Sequence, residues 1–291
     1  MTLSAETIAP ATAVGAVHLT VADLERSIAY YQTIGLRVLE RGTGQASVGA
    51  GEVELLVLVE EPGARPAIGH TGLFHFAVRV PDRVDLARWL AHAARASLPL
   101  AGLSDHFVSE AIYLSDPDQH GIEIYWDRPR DVWEGQVGSK LTSVPLDVDS
   151  LLGELDDPAA EPFAGLPAGT DMGHVHLRVA GILETIEFYR DVLGFELTAT
   201  IRLEAAFLAA GGYHHHVGAN VWQSRGATPP PPRAAALRHA TIVLPDPAER
   251  DRVAGRASDA GVELEQHPDG PLVRDPSRNA LVLAMVASSA E

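Results

Sequence analysis

His174-Val175-His176-Leu177-Arg178-Val179, followed by Thr185-Ile186-Glu187-Phe188-Tyr189 and Gly194-Phe195, decides the fold, because the chain writes this order more than once. Ala16-Val17-His18-Leu19-Thr20-Val21 leads in the same way to Ser27-Ile28-Ala29-Tyr30-Tyr31 and Gly35-Leu36. A second pair also matches. His75-Phe76-Ala77-Val78-Arg79-Val80-Pro81-Asp82 echoes His239-Ala240-Thr241-Ile242-Val243-Leu244-Pro245-Asp246. Asp116-Pro117 with Glu123 echoes Asp275-Pro276 with Val282. Self-similarity of this kind means one supersecondary unit used repeatedly.

Each copy opens with the alternation of a half-buried strand. Val175, Leu177 and Val179 face a helix; His174, His176 and Arg178 face the other way. The spacing of Leu183, Ile186, Phe188-Tyr189 and Val192-Leu193 predicts that helix. Further alternating runs, such as Val53–Glu60 and Ala205–Ala210, predict three more strands per unit. The fold class is therefore α+β, with four βαβββ modules at 14–61, 72–127, 172–224 and 236–287. The first two fall in an N-terminal region, 1–130, and the last two in a C-terminal region, 172–291. Between them 131–171, with Pro, Gly and Asp and a short helix near 148–155, reads as a linker. Pro229 to Pro232 favour an extended spacer between modules three and four.

Composition narrows the class. The chain has 291 residues, enough for about two domains with their own cores. A net charge of −17 argues against nucleic acid or an anionic membrane as partner. Cysteine is absent, which removes disulfides, zinc-thiolate sites, iron–sulfur clusters and cysteine nucleophiles. No apolar run approaches the ~18 residues of a membrane span, and the first residues lack a signal-peptide pattern, so a cytoplasmic protein is expected.

Within module two, Ser104 to Tyr125 reads as loop, strand, tight Asp116-Pro117 turn and strand, with His106, Tyr113 and Glu123 as its chemical groups. This stretch resembles the signature of extradiol ring-cleaving dioxygenases; His106, Ile112-Tyr113, Asp116-Pro117 and Glu123 fill it, and Gln119 departs from it where the family has Gly or Pro. The four modules as a whole resemble the vicinal oxygen chelate superfamily of glyoxalases, bleomycin-resistance proteins and extradiol dioxygenases. Within it the chain looks like two-domain bacterial catechol 2,3-dioxygenases, through Gly72–Phe76, Ser109–Asp118, Gly121–Tyr125, Gly173–Leu177 and Gly211–His216.

The resemblance implies that modules pair into half-barrel cups, with metal ligands on the first and last strands. The first-strand candidates are Ala16, His75, His174 and His239; the last-strand candidates are Glu123 and Val282. A non-haem iron site wants two His and one carboxylate. Modules one and two fail at Ala16, and modules three and four fail at Val282. Modules two and three together supply His75, Glu123 and His174, so the pairing expected is two with three and one with four. His18 and His239 then fall in a cup without the triad.

The resemblance further implies Fe(II), with Mn(II) compatible with the same ligands. It implies a catechol-type small aromatic diol and O2 as reactants, and His106 and Tyr113 as hydrogen-bonding groups. The catalytic acid/base falls within Tyr213-His214-His215-His216. His216 is the reading without a shift in alignment, and His215 the reading with a shift of one residue. The rival enzyme is a glyoxalase-type metal-dependent isomerase; the rival of another class is a metal-free small-molecule-binding protein. The sequence allows a homo-oligomer and does not choose one.

Overall fold

The first module shows how each unit is made. Strand β1 (Ala13–Val21) is followed by Asp23, whose carboxylate accepts the Arg26 backbone N–H and caps helix α1 (Leu24–Thr33). Strands β2 (Arg37–Gly42), β3 (Gln45–Ala50) and β4 (Val53–Glu60) follow. Module two repeats the order with β5 (Gly72–Arg79), α2 (Arg83–Arg95), β6 (Leu100–Asp105), β7 (Ser109–Ser115) and β8 (Gly121–Asp127). The structure is a computed structural model and describes residues 7–285. The outer limits of the two regions, 1 and 291, and the last two positions of module 236–287 lie outside the described residues.

The segment expected as a linker is packed. It forms α3 (Arg130–Trp133), α4 (Val137–Lys140), β9 (Val144–Pro145) and α5 (Val148–Leu152). Trp133 and Leu151 are buried, and β9 pairs with β6 at a sheet edge. Its apolar side chains pin it to both neighbours: Trp133 and Val137 pack with Val108 of module two and with Ala199, Ala205 and Phe207 of module three.

Module three contains β10 (Asp171–Arg178), α6 (Ile182–Ile186), a π-helical turn at Glu187–Val192, β11 (Glu196–Ile201), β12 (Ala205–Ala209) and β13 (Val217–Asn220). The wider turn departs from regular 3.6-residue spacing. It buries Phe188 and Tyr189, while Leu183 faces solvent. Module four has β14 (Leu237–Leu244), α7 (Pro247–Asp259), β15 (Leu272–Arg274) and β16 (Ala280–Met285). Its expected second strand shrinks to a single bridge between Glu265 and Leu272, so this copy is βαββ.

Two curled sheets result. The nine-stranded sheet runs β11-β12-β13-β10-β5-β8-β7-β6-β9, and the seven-stranded sheet runs β15-β16-β14-β1-β4-β3-β2. Modules two and three therefore meet through antiparallel β5 and β10, and modules one and four through antiparallel β1 and β14. Each half-barrel takes one module from either side of segment 131–171. Buried hydrogen bonds brace the sheets crosswise: Tyr31 donates to Asp116 at 3.0 Å, and Tyr189 to Asp275 at 3.4 Å. In both Asp-Pro turns the carboxylate also accepts two backbone N–H groups, and the turn residue Gln119 or Arg278 takes a left-handed φ of 67° or 69°. Gln119 thus fills the place of a glycine by adopting glycine's backbone conformation.

Candidate metal centre and its cavity

Three side chains converge on the concave face of the nine-stranded sheet. His75 comes from β5, Glu123 from the parallel neighbour β8, and His174 from β10 on the other side of β5. His75 Nε2 lies 3.0 Å and His174 Nε2 3.3 Å from Glu123 Oε2. All three ligand atoms lie within 4.8 Å of one another, and all three residues are buried. It is the one such group of His and carboxylate residues among the described residues.

The donors fit a divalent metal. His75 Nε2 is buried and, although it lies 3.0 Å from Glu123 Oε2, it makes no aligned hydrogen bond, so it is left aimed at the shared point. Burial lowers the His174 pKa to about 4, so at neutral pH its imidazole is in the neutral form that ligates. Burial pushes the Glu123 carboxyl up, but the adjoining His174 and His75 more than offset this and hold it well below its usual range. Two imidazoles and one carboxylate leave open positions on an ion of the iron or manganese type.

The centre opens into a cavity of about 720 Å³. Tyr113 stands opposite Glu123 across β7 and β8. His106 Nε2 is 2.7 Å from the Tyr113 hydroxyl, and His106 Nδ1 is 2.7 Å from the Thr142 carbonyl. A carbonyl only accepts, so Nδ1 carries the proton and in neutral His106 the bare Nε2 accepts the Tyr113 O–H. Burial, then the Glu123 charge, raises the Tyr113 pKa well above the phenol range and keeps it protonated. Thr142 lies in the packed segment after β8, a contribution that reading it as a linker did not expose.

The histidine triplet separates cleanly. His215 lines the cavity, with its ring 4.1 Å from that of His174. His216 does not reach the cavity: its Nδ1 accepts the Ala210 N–H at 3.1 Å, and its ring packs on Tyr213 and Phe195. The cavity position that the unshifted reading expects for His216 is therefore occupied by His215, the residue of the shifted reading. The physical cause is Gly211-Gly212, both at left-handed φ (58° and 68°), which holds the triplet in an irregular turn ahead of β13.

Behind His215 lies a relay that the sequence reading missed. His215 Nδ1 is 2.8 Å from His214 Nδ1, and His214 Nε2 is 2.8 Å from Asp127 Oδ1. Burial raises the Asp127 carboxyl, but His214, Tyr213 and Arg79 offset this and hold it below its usual range, as an acceptor. The contact with Asp127 places a proton on His214 Nε2, and in neutral His214 the bare Nδ1 accepts His215 Nδ1–H. The neutral tautomer of His215 so fixed has its lone pair on Nε2. Burial keeps His215 neutral by holding its pKa well below the usual value. Asp127 ends β8 four residues after Glu123, a signal visible only once the triplet is placed.

His176 lines the cavity beside His75, with ring centroids 4.9 Å apart; Phe74, Phe207 and Trp222 continue the wall. His18 and His239 lie in the other sheet, stacked at 3.8 Å, with Ala16 and Val282 at the remaining positions.

The comparisons agree with this architecture. The family model described as Glyoxalase/Bleomycin resistance protein/Dioxygenase superfamily matches residues 13–124 and 171–283. The chain is 41% identical over 282 residues to "Catechol-2,3-dioxygenase" of Bacillus subtilis (strain 168), covering 94% of this chain and 98% of that one. Among solved structures, a Bacillus subtilis protein superposes with a TM-score of 0.67 at 14% identity, covering 98% of this chain and 87% of that one. Glyoxalase I from Zea mays superposes with a TM-score of 0.56 at 18% identity, covering 94% and 92%; these two support the fold alone. With both repeats matched and a relative this similar over its whole length, the chain belongs to the glyoxalase/bleomycin resistance/dioxygenase superfamily.

Proposed function

We infer that this protein is an extradiol dioxygenase that uses Fe(II), or Mn(II) in its place, to open the ring of a catechol with O2. The observation that carries the reading is the His75–Glu123–His174 cluster at the floor of an open cavity, with a tautomer-fixed His215 beside it. The relative named for catechol cleavage supports the same reading.

His75, Glu123 and His174 would hold the ion, and when bound it supplies Lewis acidity toward the diol oxygens and a redox couple for oxygen chemistry. The protein's own groups do the proton work. His215 Nε2 is the base that takes a proton from a catechol hydroxyl as the diol settles. The resulting imidazolium keeps its Nδ1–H on His214, and the Asp127 carboxylate at the end of the relay stabilises the charge. His215 then returns the proton to an O2-derived oxygen as the ring opens, and both atoms of O2 end in the product. Tyr113 orients the opposite edge of the substrate. With its O–H shared with His106 Nε2, the Tyr113 oxygen is left to accept a hydroxyl of the diol. The apolar cavity wall limits competing water.

The test is Fe(II)-loaded protein, prepared without oxygen, mixed with catechol and air. The expected result is equimolar uptake of O2 and catechol and a yellow ring-opened hydroxy-aldehyde acid. A diacid product, or no uptake by protein that has bound iron, contradicts the reading.

A further inference from the structure

Arg178 stands four residues beyond His174 on the same face of β10, so its Cα lies about 13 Å further along the strand. It lines the same cavity. No carboxylate pairs with it among the described residues, and its Nε is buried without a hydrogen-bond partner. By contrast Arg79, Arg83 and Arg128, also partly buried, each engage two carboxylates. An unpaired cation in a largely apolar wall is costly unless something anionic arrives. Loss of solvent lowers its pKa, in keeping with that missing partner.

The fold does not require arginine there. In the first module, β1 carries Ala16, His18 and Thr20 where β10 carries His174, His176 and Arg178, so the equivalent residue is Thr20. The path between the metal site and Arg178 is apolar and aromatic. Phe74, His176 and Trp222 contact one another edge-on or tilted, at 5.2 to 5.7 Å between centroids. The rim carries exposed Ile68 (72%), Trp222 (48%) and Ile201 (44%). The cavity volume falls in the range of pockets for ligands much larger than one six-membered ring (roughly 300–1,000 Å³).

Resting on the reading of this site as a catechol dioxygenase, we propose that the substrate is a catechol bearing an apolar arm that ends in a carboxylate, and that Arg178 binds that carboxylate. The ring occupies the metal end, the arm crosses the aromatic wall, and the guanidinium closes the far end with charge-assisted hydrogen bonds. In a chain of net charge −17 this local cation also offsets the general repulsion of an anionic substrate.

The experiment compares 3-(3,4-dihydroxyphenyl)propanoate with its methyl ester, a pair that differs in the charge at the arm's end. For the wild type the acid should show the lower KM. Arg178→Met should raise the KM of the acid ~10–100-fold with little change for the ester or for catechol, the span of a lost hydrogen bond to a charged group. Arg178→Lys should recover part of the loss. Calorimetric binding of both compounds to oxygen-free protein gives a second readout. If no ring is cleaved but the acid binds more tightly through Arg178, the dioxygenase reading fails and the carboxylate site stands. If wild type handles acid and ester alike, or Arg178→Met weakens both equally, the carboxylate site is overturned whatever the chemistry.

Discussion

The two half-barrels are built on one plan and differ in what their floors hold. In the nine-stranded sheet His176 faces His75 across β10 and β5; in the seven-stranded sheet His18 faces His239 across β1 and β14. The first pair stays 4.9 Å apart and edge-on, leaving room for His174 and Glu123 to converge. The second pair collapses into a stack at 3.8 Å. Ala16 provides no ligand, and Val282 lies in an apolar cluster with Leu272, Ala280 and Ala284. The backbone plan therefore positions side chains but does not make a site. Changes at two floor positions turn a polar cup into a structural one.

The largest difference should appear in metal content. Glu123→Ala should reduce bound iron or manganese from about one per chain to background, because two imidazoles alone hold these ions weakly. His239→Ala should keep the full content. Equal losses in the two variants, measured by elemental analysis, would erase the distinction between the cups.

Next comes proton transfer within the cup that holds the triad. His215→Ala should bind metal as wild type does and lose turnover by ~10²–10⁴-fold, the usual worth of general acid–base catalysis. His216→Ala should lower the unfolding midpoint, since it vacates a packed position, and leave the turnover of the folded protein near that of wild type. The reverse result in steady-state assays would return the role to His216. Asp127→Asn, which acts through His214, should have a smaller effect, about 10–100-fold in turnover with metal content intact. No change in turnover would make the relay merely structural.

How much of this was legible in sequence follows from the distance over which each signal acts. The repeats, the strand faces and the triad residues are local patterns at matching offsets, and Ala16 and Val282 gave the pairing of modules once the resemblance had supplied the ligand positions. The choice between His215 and His216 depended on two glycines at positive φ, which break the alternation that a strand would impose. The Thr142 and Asp127 contacts are tertiary, across 36 and 87 residues, with no periodic signature. Segment 131–171 looks like a linker because of its Pro, Gly and Asp, yet it buries Trp133, Val137, Leu146, Leu151, Leu155 and Leu166.

The smallest effect concerns pH and the second cup. Burial, the largest cause for each, lowers the His18 pKa to about 4 and the His239 pKa to about 3. The unfolded chain then binds more protons than the folded one below pH 6.5, so stability falls as pH drops from there toward the folded values. His239→Leu in metal-free protein should lessen the drop in denaturation midpoint between pH 7 and pH 5. An unchanged drop would show that this stack does not set the acid response of its cup.

The most direct measurement is anomalous X-ray diffraction from crystals grown with Fe(II) or Mn(II) in the absence of oxygen. One strong peak per chain should stand between His75 Nε2, Glu123 Oε2 and His174 Nε2, with none near His18 and His239. A peak in the second cup, or a peak elsewhere with this triad empty, would contradict the account.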